Sequence, residues 1–264
     1  MSLLERPTKI YFASDFHLGV PDHESSLARE KRIVRWLDEI KRDATEIFLV
    51  GDIFDFWFEY KRAIPKGFVR LQGKIAEITD SGIPVHVFTG NHDMWMFHYF
   101  QEELGVQLHA DEYCFEKNGK RFFVAHGDGL GPGDYKYKFI KRVFRNPLCQ
   151  WAFARIHPNF GISLANFFSR SSRKSGMAKD MIYSGKEKEW LYHFAVEHQK
   201  TNPQDYYIFG HRHLPLELTI DQAVYLNTGE WLYAQTFARF DGKQLEMCSW
   251  KNGIIESYDA KRPN

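Results

Sequence analysis

The sequence predicts an α/β fold, with a parallel core first and mostly antiparallel sheet in its second half. Three observations predict it. Short apolar runs at 9–13, 46–50 and 84–89 alternate with helical periodicity at 24–41, 62–80 and 94–103. Asn118-Gly119 separates runs at 112–117 and 120–125, a two-residue hairpin signal. Further short runs at 206–209, 223–227, 233–240 and 244–250 are punctuated by Asp241-Gly242 and Asn252-Gly253.

The elements follow in order. KIYFA (9–13) and EIFLV (46–50) are apolar without alternation, as strands covered on both faces are. Between them Leu27, Ile33, Val34, Leu37 and Ile40 make one helical stripe. A helix over 62–80 is expected to break near Pro65, which removes a backbone donor. PVHVFT (84–89) is the third strand, and 94–103 is the next helix. The stretch 135–188 fits neither pattern. It is expected to be a helical cap inserted into one domain spanning 1–264.

Composition narrows the function. Hydrophobic residues make up 44% and charged residues 26%, which excludes a disordered chain. Thirty-five basic residues face 34 acidic ones, so a generally basic nucleic-acid binder is not indicated. Cys114, Cys149 and Cys248 lack C-x-x-C spacing and are expected to be reduced, buried thiols. Residues 1–8 carry no apolar stretch for a secretory signal, and no run is long enough to span a membrane. A cytoplasmic protein is expected.

Five motifs each follow a strand-like run: Asp15-Phe16-His17, Gly51-Asp52-Ile53-Phe54-Asp55, Gly90-Asn91-His92-Asp93, His126-Gly127-Asp128 and Gly210-His211-Arg212-His213. In an α/β sheet, strand ends at one edge are where sites assemble. Carboxylate, amide oxygen and imidazole suit hard and borderline divalent cations, and no thiolate is among them. The donors exceed the needs of one ion. Two ions roughly 3.5–4 Å apart, bridged by a carboxylate, would use them all. Each motif alone is an ordinary turn or cap; their joint order after successive strands is what carries the signal. His23, His86, His98, His109, His157, His193 and His198 are read as surface or core positions.

This order of motifs resembles the calcineurin-like metallophosphoesterases, over most of the chain. The resemblance implies a two-layer mixed β-sandwich flanked by helices, with a dinuclear site at one edge. It implies Asp15, His17 and His213 at one metal, Asn91, His126 and His211 at the other, and Asp52 bridging. His92 would be the catalytic histidine, held by Asp93, with Asp55 behind the ligands. The ions are expected to be Mn²⁺, although Fe, Co or Zn suit the same donors.

Within that superfamily, the opening SDFHLG, the run GDIFDFWFEY and the loop from His126 to Asp134 resemble the UDP-2,3-diacylglucosamine pyrophosphohydrolases of lipid A synthesis. That resemblance implies cleavage of an acylated nucleotide sugar to UMP and a diacylated sugar 1-phosphate. It adds Asn91, His92, Asp134, Ser172, Lys179 and His211 as substrate contacts. One position departs: those enzymes commonly carry Arg after the metal-binding Asn, where this chain has His92. The insertion holds twelve basic and two acidic residues among many large apolar ones. Such a mixture suits a lid over an acyl-phosphate ligand, with the inner-membrane surface as a peripheral partner. A phosphodiesterase acting on soluble nucleotides is the alternative, and a scaffold without catalysis is a weaker one.

Overall fold

A computed structural model describes residues 8–133, 135–165, 167, 169 and 182–261. Two sheets pack face to face. The first has seven strands: β1 (Ile10–Ala13), β2 (Glu46–Val50), β3 (Val85–Phe88), β4 (Gln107–His109), β10 (Thr236–Phe240), β11 (Leu245–Lys251) and β12 (Ile254–Ser257). The second has five: β5 (Tyr113–Lys117), β6 (Lys120–Ala125), β7 (Tyr206–Phe209), β8 (Pro215–Ile220) and β9 (Ala223–Thr228). Their orders are β12-β11-β10-β1-β2-β3-β4 and β5-β6-β7-β9-β8.

The unbroken apolar runs have a direct physical reason. Ile10, Phe12, Phe48 and Val50 point between the sheets and meet Phe122, Val124 and Ile208. Their neighbours Tyr11, Ala13, Ile47 and Leu49 face the helices α1 (His23–Ile40) and α2 (Val69–Asp80) through Ile33, Leu37, Leu71 and Ile75. With both faces covered, every position of β1 and all of β2 beyond Glu46 are buried, and period-two alternation disappears. On the far side, helix Trp190–Thr201 packs Leu191 and Ala195 against Phe123, Tyr207 and Phe209.

Several expectations are corrected in detail. The predicted helix over 62–80 begins only at Val69, because Gly67 has φ +113° and Phe68 is left-handed. Glu30 of α1 supplies the missing cap by accepting from the amides of Arg70 (2.9 Å) and Leu71 (3.1 Å). The helix expected from 94 begins at Tyr99 (α3, Tyr99–Leu104), since Trp95 is bridged to Phe58 and its carbonyl accepts from Glu59. The strand expected from 233 starts at Thr236, after a turn whose amides at Tyr233 and Ala234 donate to the Glu230 carboxylate. The second half is less antiparallel than expected: β6, β7 and β9 run parallel. Of the cysteines only Cys248 is buried; Cys114 is exposed.

Among the described residues, the segment 135–188 opens with α4 (Tyr135–Phe144) and α5 (Pro147–Phe153), is helical again over 158–165, and has a short 3₁₀ turn at Lys186–Lys188. Neither α4 nor α5 contains a buried residue. Ten of the thirteen large apolar side chains exposed among the described residues lie in this segment, including Phe139, Leu148, Trp151 and Phe160. Trp95 anchors it: its Nε1 donates to the Phe144 carbonyl at 2.8 Å, and its ring lies 4.7 Å from that of Phe153. No helix among the described residues is long and apolar enough to cross a membrane.

Candidate metal centre

The C-terminal ends of β1, β2 and β3 in one sheet and of β6 and β7 in the other reach the same edge. The five motifs are the segments that leave those ends. Beyond β1 and β2 the chain stays zipped, with Asp15 N donating to Gly51 O (3.0 Å), His17 N to Asp52 O (2.9 Å) and Leu18 N to Ile53 O (3.0 Å). Arg29 of α1 is buried beneath this turn and donates to the carbonyls of Phe16 (2.7 Å) and His17 (2.6 Å).

Asp15, His17, Asp52, His211 and His213 all have positive φ, from +44° to +68°. Such conformations in non-glycine residues persist where the surroundings over-determine them, and they cluster at functional sites. Two glycines allow the close approach. A Cβ on Gly51 would stand 2.5 Å from His126 Nδ1, and one on Gly90 would collide with Asp52.

Asp15, His17, Asp52 and His213 offer one group of potential ligand atoms, and Asp52, His126 and His211 offer a second. Asp52 belongs to both. Its Oδ2 lies 3.7 Å from His17 Nε2 and 3.5 Å from His126 Nε2. Asn91 joins the second group, with Oδ1 2.9 Å from His211 Nδ1 and 3.3 Å from His126 Nε2. His126 is oriented by Nδ1 donating to the Val50 carbonyl at 2.8 Å.

The donor set fits divalent cations. The Nε2 atoms of His17 and His213 face each other at 2.9 Å, and Asp15 Oδ1 is buried without a hydrogen bond among the described residues. A cation held by these residues would satisfy all of these atoms. Charge is poised accordingly. Burial raises the Asp15 and Asp52 carboxyls, but neighbouring histidines outweigh it and hold both below the ordinary carboxylate range. Burial pushes His17 down to about 3 and His211 to about 4, so both imidazoles are neutral at pH 7. At His126 burial is outweighed by Asp52, and the imidazole is raised to about 10.

The contacts of His92 and Asp93 differ from those expected. The Asp93 carboxylate accepts from the amides of Gly90 (2.7 Å), Ile53 (2.8 Å) and Phe54 (3.2 Å), tying two motif loops together. Burial and the Asp52 charge raise it to about 7. The contacts to His92 come from Asp55: Nδ1 lies 3.1 Å from its carbonyl and 3.5 Å from its Oδ1. Ser169 of the cap lies 3.1 Å from the same nitrogen. Asp134, Ser172 and Lys179 lie outside the described residues.

Sequence reasoning missed the links that bind α4 to this edge. Asp128 of the H-G-D motif accepts from Tyr137 Oη (2.5 Å) and Lys141 Nζ (2.6 Å), both on α4. The sequence offered only a Tyr and a Lys four apart in a basic helix, too common a pattern to single out.

A protein of Porphyromonas gingivalis (strain ATCC BAA-308 / W83) named UDP-2,3-diacylglucosamine hydrolase is 38% identical over 262 residues, 93% of this chain and 98% of that protein. A protein of the same name from Edwardsiella ictaluri (strain 93-146) is 26% identical over 204 residues, 77% of this chain and 75% of its own. The profile described as calcineurin-like phosphoesterase matches residues 8–215, and with these matches and a buried aspartate and histidine cluster able to bind metal, the chain belongs to that family.

Proposed function

We propose that the chain hydrolyses the pyrophosphate bond of UDP-2,3-diacylglucosamine, releasing UMP and 2,3-diacylglucosamine 1-phosphate. The observation that carries this reading is the juxtaposition at one edge: a buried phosphoesterase ligand set beside a basic insertion whose large apolar side chains are exposed. A water-soluble substrate has no use for such a surface, whereas acyl chains gain roughly 0.8 kcal/mol for each methylene they bury. The names of the curated relatives support the same substrate.

Asp15, His17 and His213 would hold one divalent cation, Asn91, His126 and His211 a second, and Asp52 both. Mn²⁺ is the proposed ion. When bound, the ions supply Lewis acidity to phosphoryl oxygens and lower the pKa of water. The chain's own residues do the rest. The positive-φ turns fix the ligands in advance of binding, so no reorganisation is needed during reaction. His92, with Nδ1 committed to Asp55, presents Nε2 to charge developing on phosphorus oxygens. The leaving group of a pyrophosphate is a weak base and needs little protonation, so either His or Arg serves at position 92.

Asp93 acts by locking the loops that carry Asp52 and Asn91. Asp134, Ser172 and Lys179 are the proposed contacts to sugar and phosphate. Residues 135–188 would act as a cap within a single domain. The protein would work in the cytoplasm, peripherally on the inner membrane. Incubation with diacylated and deacylated UDP-glucosamine tests the reading: kcat/KM should be far higher for the diacylated compound. Equal rates would favour a phosphodiesterase of soluble nucleotides.

A further inference from the structure

We propose that Arg212, the residue between the two histidines of the G-H-R-H motif, is a positioning residue that clamps this loop to the end of the cap through Glu189. The inference rests on the metal reading above. Arg212 and Glu189 are both buried, with Nε 2.9 Å from Oε2 and Nη2 2.7 Å from Oε1. This two-point pairing fixes orientation as well as distance, which a lysine cannot do. The Arg212 guanidinium also stacks 5.0 Å from the Trp190 ring and donates to the Ile182 carbonyl at 3.3 Å.

The two ends of this pair are anchored very differently. Glu189 immediately precedes helix Trp190–Thr201, where its charge meets the positive end of the helix dipole. That helix is seated on the five-stranded sheet through Leu191 and Ala195. Arg212 instead belongs to a turn in which His211 and His213 have φ +68° and +50°. The histidine rings face the ligand cluster while the arginine between them runs the other way, into the helix start. The ion pair therefore ties both histidines to a helix seated on the five-stranded sheet. Because Ile182 lies in the segment returning from the cap, the same clamp joins cap and ligand loop.

The test is calorimetric titration of Mn²⁺ into chelator-stripped full-length protein. Wild type is compared with Glu189→Gln, Arg212→Lys and Arg212→Leu, with thermal unfolding measured alongside. Outer partners of ligands typically govern affinity by 10–100-fold. We expect Mn²⁺ binding weaker by about that factor in all three, with activity restored in Glu189→Gln at saturating Mn²⁺. Arg212→Leu with Glu189→Leu should be no worse than Arg212→Leu alone, since the two act as a unit. Glu189→Gln and Arg212→Lys are the milder changes and keep the test open if the leucine variants do not fold. Folded variants with wild-type Mn²⁺ affinity, even with lowered Tm, would overturn the inference. Wild-type protein that takes up no Mn²⁺ overturns the metal reading and this inference together.

Discussion

The hydroxyl of Ser169 donates to Oδ2 of Asp55 at 2.9 Å, so a residue of the cap holds the carboxylate behind His92. The Ser169 hydroxyl oxygen also lies 3.1 Å from His92 Nδ1. Cap placement and imidazole orientation are thereby one arrangement. Ser169→Ala removes one hydrogen bond to a carboxylate, a net of about 1.5–3 kcal/mol, so kcat should fall roughly 10–100-fold. KM should change little, because the hydroxyl acts on His92 and not on the substrate. Steady-state kinetics on the diacylated substrate decides it: a raised KM with unchanged kcat would reassign Ser169 to substrate contact.

His92 itself should behave as a charge-stabilising group. His92→Ala should lose about 10²–10³ in kcat, the scale of one electrostatic donor. His92→Arg should keep most pyrophosphate cleavage. On aryl phosphodiesters of rising leaving-group pKa, the Arg variant should fall progressively behind wild type. Equal losses for both variants on the pyrophosphate would mean that His92 transfers a proton.

The exposed cap residues should discriminate substrates. Phe139 and Trp151 are 64% and 56% exposed, whereas Phe153 is packed near Phe58 and Trp95. Phe139→Ser and Trp151→Ser should raise KM for the diacylated substrate much more than for UDP-glucosamine without acyl chains. Phe153→Ser should lower Tm instead, because it removes packing. A parallel rise in both KM values would detach these side chains from the acyl chains.

The parallel core and the cluster of Asp, Asn and His side chains were legible for the same reason. Strands covered on both faces must be uniformly apolar, and a ligand cluster needs its donors next to strand ends, so both write themselves locally in sequence. KIYFA before Asp15 and EIFLV before Asp52 carry both signals at once. What stayed hidden depends on contacts between distant segments. Glu30 capping α2, Asp93 binding the amides of Ile53 and Phe54, and Arg212 reaching Glu189 each join positions that no periodicity relates. The edge strand Pro215–Ile220 was missed because it opens on a proline, tolerated there at the first position.

His86 should impose an acid limit on stability that is separate from the metal centre. It is buried, stacked 4.2 Å from the Phe48 ring, with Nδ1 3.0 Å from His109 Nε2 and Nε2 4.0 Å from Glu46. Burial, aided by His109, pushes its pKa from 6.5 down to about 4. The unfolded chain then takes up a proton at higher pH than the folded one. The stability from neutral His86 is present above pH 6.5 and is lost as pH falls toward 4. His86→Phe keeps the ring stack and removes the titration. Between pH 7 and 4.5, wild-type Tm should drop further than that of the variant, by roughly 5–10 °C. Identical pH profiles would show that His86 is not the group responsible.

The central claim is metal-dependent cleavage of a diacylated nucleotide sugar at the edge where Asp52 joins two ligand groups. Its most direct measurement is ³¹P NMR of UDP-2,3-diacylglucosamine with purified protein, first with chelator and then with added Mn²⁺. The account predicts an unchanged pyrophosphate spectrum with chelator. With Mn²⁺, the signals of UMP and 2,3-diacylglucosamine 1-phosphate should grow in equal amounts, and Asp52→Ala should stay silent at the same Mn²⁺ concentration. Cleavage that proceeds undiminished in chelator, or Mn²⁺-loaded protein that leaves this substrate intact while hydrolysing a soluble nucleotide phosphodiester, would contradict it.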